Sequence, residues 1–441
     1  MSRDVRILST HDFFGSFATI PTSYGSLAGG EGLRSAARTL KTRAALWIDS
    51  GDLTQGGPLT VATQGRGGLA AAGELGIDVS VVGNHDLDFG AAFLQAHVAD
   101  LRCPMLCSNV AIGLPQTAML PTSAGTVGVI GLTHHNLHAM RFWTVADTSR
   151  MPTPDDQLDV DVPAIAGELR HQGADVVVAL VHDGVDWSFR ANGRYLVDEV
   201  MFADRCRSWR GAIDLIIAGH TLGRFFGEIE GTPVMQPWPL GAEIAVIDLD
   251  LATGRALAPP RGVLVEARGQ WRGTGADIIA EAAADHLGDL DRPLYARSGG
   301  PMPLADFLAA AIADVTDADV TFAYATCGQP TLDGIFAFLE NGPVSRLQLL
   351  QLMPYTTFDV VVTEVDPIEL ETIRALVRPR PQSRTTAWGQ HVRQANHRCE
   401  ILRLATTRGA AQRVISDMIG RELRWQPSGR TLFDGVRSIL A

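Results

Sequence analysis

Thiols are scarce and mostly unpaired in this chain. Cys103 and Cys107 form one CxxxC spacing around Pro104, while the other three of the five cysteines, Cys206, Cys327 and Cys399, are scattered. That pattern supports neither a zinc ribbon nor a disulfide framework. No apolar stretch reaches transmembrane length. The chain passes from Met1 through Ser2-Arg3-Asp4 into a strand-like stretch with no signal-peptide core, so a cytoplasmic location is expected. Positive charge is also short: 37 Lys and Arg face 49 Asp and Glu, a net charge of −12. This argues against a nucleic-acid groove and against an anionic membrane surface as partners. Gly65-Arg66-Gly67-Gly68 lacks the preceding strand that a dinucleotide loop requires, and it reads as a helix start.

What remains is a globular composition, 46% hydrophobic and 20% charged over 441 residues, enough for two or three domains. Within it, five polar clusters each close an apolar run: Thr10-His11-Asp12, Gly51-Asp52, Gly83-Asn84-His85-Asp86, His182 and Gly219-His220. The preceding stretches, Val5 to Leu8, Ala44 to Ile48, Val79 to Val82, Val176 to Val181 and Leu215 to Ala218, read as strands. Open α/β sheets gather ligands at the carboxyl ends of their strands, so these distant residues are expected to converge. Carboxylate, amide oxygen and imidazole together, with no thiolate, suit a divalent ion such as Mn, Fe, Zn or Co.

Five segments carry a resemblance. They are Ile7-Leu8-Ser9-Thr10-His11-Asp12-Phe13-Phe14-Gly15, Asp49-Ser50-Gly51-Asp52 with Gln55-Gly56, Gly83-Asn84-His85-Asp86-Leu87-Asp88-Phe89-Gly90, Leu180-Val181-His182-Asp183-Gly184 and Gly219-His220-Thr221-Leu222. In these the chain resembles the calcineurin-like metallophosphoesterases, and among them the 5′-nucleotidase family. Two histidines of the family pattern are missing, replaced by Phe14 and Leu222, and both belong to the same metal position. The resemblance implies that Asp52, Asn84, His182 and His220 hold one ion tightly, while the other position keeps only Asp12 and the shared Asp52 and is degraded. Three protein ligands plus water is the usual minimum for a catalytic zinc.

Two readings of Asp12 stay open: a general base toward water on the remaining ion, or, with Asp52, a ligand of a weak second ion completed by water or substrate oxygens. By the same resemblance His85 stabilises the phosphoryl transition state or protonates the leaving group, with Asp88 fixing its tautomer. The run His134-His135-Asn136-Leu137-His138 follows the strand-like Val127 to Leu132; a merely His-rich loop is the plainer reading, and a replacement metal ligand the alternative. His11 beside Asp12 is treated in the same way.

The expected fold is a four-layer α/β/β/α sandwich over residues 1–272, a linker helix within 273–292, and a smaller α+β substrate-binding domain of 5′-nucleotidase type over 293–441. Helical patterns occupy Gly30 to Thr42, Leu59 to Leu75, Phe89 to Leu101, Val160 to Gln172 and, as connector, Ala276 to Leu287. The later part departs from the family: Leu352-Met353-Pro354-Tyr355-Thr356-Thr357 replaces a Pro-Phe-Gly-Asn segment, and after Leu404-Ala405-Thr406-Thr407-Arg408-Gly409 no base-stacking aromatic segment follows. Tyr355 and Arg408, with Trp388 and Arg403, are the candidate substrate walls, each weighed against plain packing or a solvated surface. The function expected is hydrolysis of a small phosphomonoester, a nucleotide or modified nucleotide, by metal-bound hydroxide with His85 assisting. The alternatives are a mononuclear hydrolase of a diester or of a non-phosphate substrate, and a non-catalytic protein that retains a metal and binds a ligand. The oligomeric state is not legible.

Overall fold

The computed structural model describes residues 3–22, 25–54, 56–137, 152–189, 195–297, 303–326, 335–352, 358–377, 386–393, 401–411, 415 and 423–441. Two sheets form the first part. One runs in the order Arg255–Ala256, Glu243–Asp250, Asp4–Thr10, Ala45–Asp49, Val79–Val81, Met105–Leu106, with Arg261–Leu264 also paired to Glu243–Asp250. The other runs Phe225–Ile229, Thr232–Gln236, Leu215–Ile217, Val176–Val181, Thr126–Leu132, Thr117–Pro121. The strands that precede the polar clusters pair in parallel within each sheet, so their carboxyl ends share one edge.

Strand periodicity explains the layering. In Val176–Val181, Val176, Val178 and Leu180 pack with Val5, Ile7 and Ile48 between the sheets, whereas Val177, Ala179 and Val181 join a separate apolar cluster with Val162, Ala166, Leu169 and Phe202 of the outer helices. Likewise Ile7 and Ile48 face inward, while Leu8 and Trp47 face the helix Gly29–Leu40 through Leu33 and Ala37. A strand buried on both faces is therefore a continuous apolar run, and helix, sheet, sheet and helix stack in that order. Trp47 is 1% exposed and its indole N–H donates to Thr10 Oγ1 at 2.9 Å. Trp47→Ala is expected to lower stability by about 3–5 kcal/mol, read as a lower denaturant midpoint at unchanged slope.

The second part centres on a five-stranded sheet in the order Thr386–Val392, Val320–Thr326, Leu402–Thr407, Asp359–Val365, Gln426–Thr431, with helices Pro303–Asp314, Pro367–Val377 and Leu432–Leu440. Two helices approach closely at Gly435, where a Cβ would stand 2.2 Å from the Ala311 carbonyl oxygen. Among the described residues no helix is long and apolar enough to cross a membrane.

Several expected elements differ. The helix expected over Leu59 to Leu75 is two helices, Gly57–Thr63 and Arg66–Ala72, because Gln64 (φ 50°) and Gly65 (φ 91°) turn the backbone left-handed between them. Gly65 also packs where a Cβ would lie 2.7 Å from the Phe89 ring. Over Phe89 to Leu101 the helix covers only Ala91–His97, followed by a 3₁₀ turn at Val98–Leu101. The connector helix ends at Ala284, and His286–Leu290 is instead a strand paired with Gly342–Ser345.

Candidate metal centre

The strand ends converge as tight loops. Asp12, Asp52 and His220 have φ of 47°, 54° and 66°, left-handed values that non-glycine residues rarely adopt and that concentrate at functional sites. Gly83 lets two loops touch: a Cβ there would stand 2.0 Å from Asp52 Oδ1. Asp86 staples the same loops, its Oδ2 accepting the N–H groups of Asp52 and Gly83 at 2.9 Å each. Burial, aided by the nearby Asp52 carboxylate, pushes the Asp86 carboxyl up to about 7.

Four donors meet in this edge. Asn84 Oδ1 lies 3.1 Å from His182 Nε2 and 2.8 Å from His220 Nδ1, and Asp52 Oδ2 lies 3.2 Å from His182 Nε2. Donor atoms bound to a first-row cation at about 2.0–2.2 Å lie roughly 3–3.6 Å apart around it, so these separations match a coordination shell. The outer partner agrees: His182 Nδ1 faces the Ser50 carbonyl oxygen at 2.6 Å, which requires the proton on Nδ1 and turns Nε2 toward the two oxygens. Burial, with His134 and His182 adding to it, holds the His220 imidazole well below its usual range and so neutral. Burial would raise the Asp52 carboxyl, but His182, His85 and His220 outweigh it and hold the group well below the usual carboxylate range. For His182 burial opposes charge, yet Asp52 lifts the imidazole to about 10, a proton that a cation would replace. The residues present fit a divalent ion of the Mn, Fe, Zn or Co class. The three described cysteines are free, and burial pushes each thiol up to about 12, so none offers a thiolate.

His85 stands beside this group. Its backbone N–H donates to Asp52 Oδ1 at 2.7 Å, and its Nδ1 pairs with Asp88 Oδ2 at 3.1 Å. The Phe14 ring meets the His85 ring edge-on, 5.7 Å between centroids. Asp12 is held by two neighbours. Its Oδ2 accepts from His11 Nδ1 and, at 2.7 Å, from the His220 backbone N–H. Its buried Oδ1 has no hydrogen-bond partner among the described residues. Asp52, His182 and His220 offer donors all within 4.8 Å of one another, and Asp12 does not belong to that group. Phe14 and Leu222 are buried in an apolar cluster shared with Trp187 and Leu240 that extends to Leu304 and Leu308 of the helix Pro303–Asp314.

The His-rich loop does reach this edge: the His134 ring lies 4.6 Å from that of His220. Burial lowers the His134 imidazole to about 4, with His135 and His182 adding to the effect. His138 and Tyr355 lie outside the described residues. Arg403 pairs with Asp317, and Arg408 Nε lies 3.6 Å from Asp359 Oδ2, so both are engaged by acids of their own part of the chain. Sequence reasoning missed Asp86 and the Ser50 carbonyl. Asp86 sits inside the Gly-Asn-His-Asp run and was legible as polar, but its partners are backbone groups of a loop some thirty residues earlier.

Residues 20–224, a little under half of the chain, match the family model described as calcineurin-like phosphoesterase. The chain is 25% identical over 332 residues to a 2′,3′-cyclic-nucleotide 2′-phosphodiesterase/3′-nucleotidase of Yersinia enterocolitica, covering 65% of this chain and 50% of that protein. The chain thus spans about half the length of this curated relative. In fold it is similar to a 5′-nucleotidase precursor of Thermus thermophilus, with TM-score 0.72, 14% identity, and coverage of 99% of this chain and 96% of the other. A sulfate thiohydrolase of Thermus thermophilus, SoxB, superposes with TM-score 0.69 at 16% identity, over 99% and 94% of the two chains.

Proposed function

We propose that this chain is a metal-dependent hydrolase of a small phosphomonoester, a nucleotide or modified nucleotide. The observation that carries the reading is the meeting of Asp52, Asn84, His182 and His220 within bonding reach of one cation, with the His85–Asp88 pair alongside. A divalent ion held there supplies Lewis acidity and an acidified water. Asp88 orients the His85 ring, which stabilises negative charge growing on phosphorus and passes a proton to the departing oxygen. Asp12 is assigned as a proton acceptor for the attacking water: its free Oδ1 is buried and the His220 N–H holds the carboxylate in place. Residues 1–272 form the catalytic part, 273–292 the link, and 293–441 the part that recognises the rest of the substrate, with Tyr355 and Arg408 as its proposed contacts.

A second reading, a diesterase, is favoured by one observation. Phe14, clustered with Leu222, places hydrocarbon beside His85, in keeping with the Yersinia relative, which is named for cleavage of both kinds of ester. Phosphate release from nucleoside monophosphates and sugar phosphates, against cleavage of cyclic and linear diesters, separates the two after chelation and return of Mn, Fe, Zn or Co. Monoesters are expected to turn over at least about tenfold faster, a difference of about 1.4 kcal/mol in barrier. Diesters cleaved faster, or turnover unaffected by chelation, would overturn the proposal.

A further inference from the structure

We propose that His134, His135 and Asp183 form a second cation site, for a first-row divalent ion, beside the His220 edge of the centre. The three side chains offer donor atoms all within 4.8 Å of one another. His135 Nδ1 lies 2.7 Å from Asp183 Oδ2, and the rings of His134 and His135 stand 4.3 Å apart. Two imidazoles and one carboxylate are the donors that hold iron and its neighbours while leaving open positions for water or a substrate oxygen.

The surroundings suit this role. Asp183 Oδ1 accepts from Arg205 Nη2 and from the Gly184 N–H, both at 2.8 Å, which fixes the carboxylate and directs Oδ2 at His135. Such outer partners orient a ligand for its metal. His134 and Asp183 are buried, whereas the His135 side chain is 47% exposed, so the group has a solvent side through which an ion enters. The next residue, Asn136, has a buried Oδ1 with no hydrogen-bond partner among the described residues, an oxygen donor in the same loop. An ion on His134 Nδ1 would displace one long bond, 3.1 Å from the Asn136 N–H. Through the contact of His134 with His220 the site adjoins the first centre.

This inference is independent of the reaction catalysed, because it is read by counting ions. The chelator-stripped full chain is dialysed against Co²⁺ and its metal content measured, with thermal melts as a check on folding. Two ions per chain are expected for the native protein, one for His135→Ala, one for Asn84→Ala and none for the double variant. His135→Ala should weaken the second ion at least about tenfold, the lower end of what loss of even an outer partner does. His135 is partly exposed and its removal should leave the fold intact; Asp183→Asn, which keeps the shape of the side chain, is the second variant and should likewise lose one ion. A native count of one that survives His135→Ala overturns the proposal, as does a second ion that survives His135→Ala and disappears in Asp12→Asn, which would put it between Asp12 and Asp52. A count that falls in His135→Ala but not in Asn84→Ala supports this site and removes the first.

Discussion

Asn84→Ala is expected to strip the ion from the first centre and take turnover down with it, by at least about a hundredfold at limiting metal. The reasoning is geometric. Asn84 Oδ1 is the atom both imidazoles face, at 3.1 Å from His182 Nε2 and 2.8 Å from His220 Nδ1. Its loss leaves two imidazoles and Asp52 around a gap. Removing even an outer partner of a metal ligand typically weakens binding about 10–100-fold, and an inner donor should exceed that. Asn84→Asp is the informative companion, since it keeps an oxygen in place and adds charge, and it should retain the ion. Metal content after gel filtration reads both variants. An Asn84→Ala protein that keeps its ion and its rate would remove the centre from this account.

The site is visible in the sequence because each of its residues ends a run of strand-forming apolar residues, and parallel strands bring their ends to one edge whatever the chain distance between them. The five polar clusters could therefore be placed at one edge, and the resemblance to the calcineurin-like metallophosphoesterases singled out Asp52, Asn84, His182 and His220 among them. The orientation of Asp12 could not be read that way. Its carboxylate is turned by the neighbouring His11 and by the backbone N–H of His220, 208 residues away, a contact that no local pattern encodes. The grouping of His134 and His135 with Asp183 was hidden for the same reason: the donors lie on two adjacent parallel strands' ends, and loop direction decides whether they meet. In the fold, layers and strands follow from alternation, whereas the helix break at Gln64 and Gly65 depends on packing against Phe89 and Phe93. His286–Leu290 is too short for periodicity to tell strand from helix, and its pairing with Gly342–Ser345 decides it.

His85→Ala is expected to keep the ion and still slow turnover by about 10²–10⁴-fold, the range typical for loss of a positioned general acid or base. The separation of the two effects follows from position. His85 contributes its backbone N–H to Asp52 Oδ1, a bond that alanine preserves, while its ring is no member of the donor group. The change should therefore appear in kcat, with KM nearly unchanged, because the ring acts on charge that develops only in the transition state. Asp88→Asn tests the pairing: the amide can hold the ring but presents no charge to His85 Nδ1, so a smaller fall in kcat and a shifted pH profile are expected. Substrates with a good leaving group, such as a nitrophenyl ester, should be less affected by His85→Ala than a nucleotide, since their departing oxygen needs no proton. Equal losses on both would show that His85 acts on the phosphoryl group rather than on the leaving oxygen, and an unchanged kcat would take His85 out of the chemistry altogether.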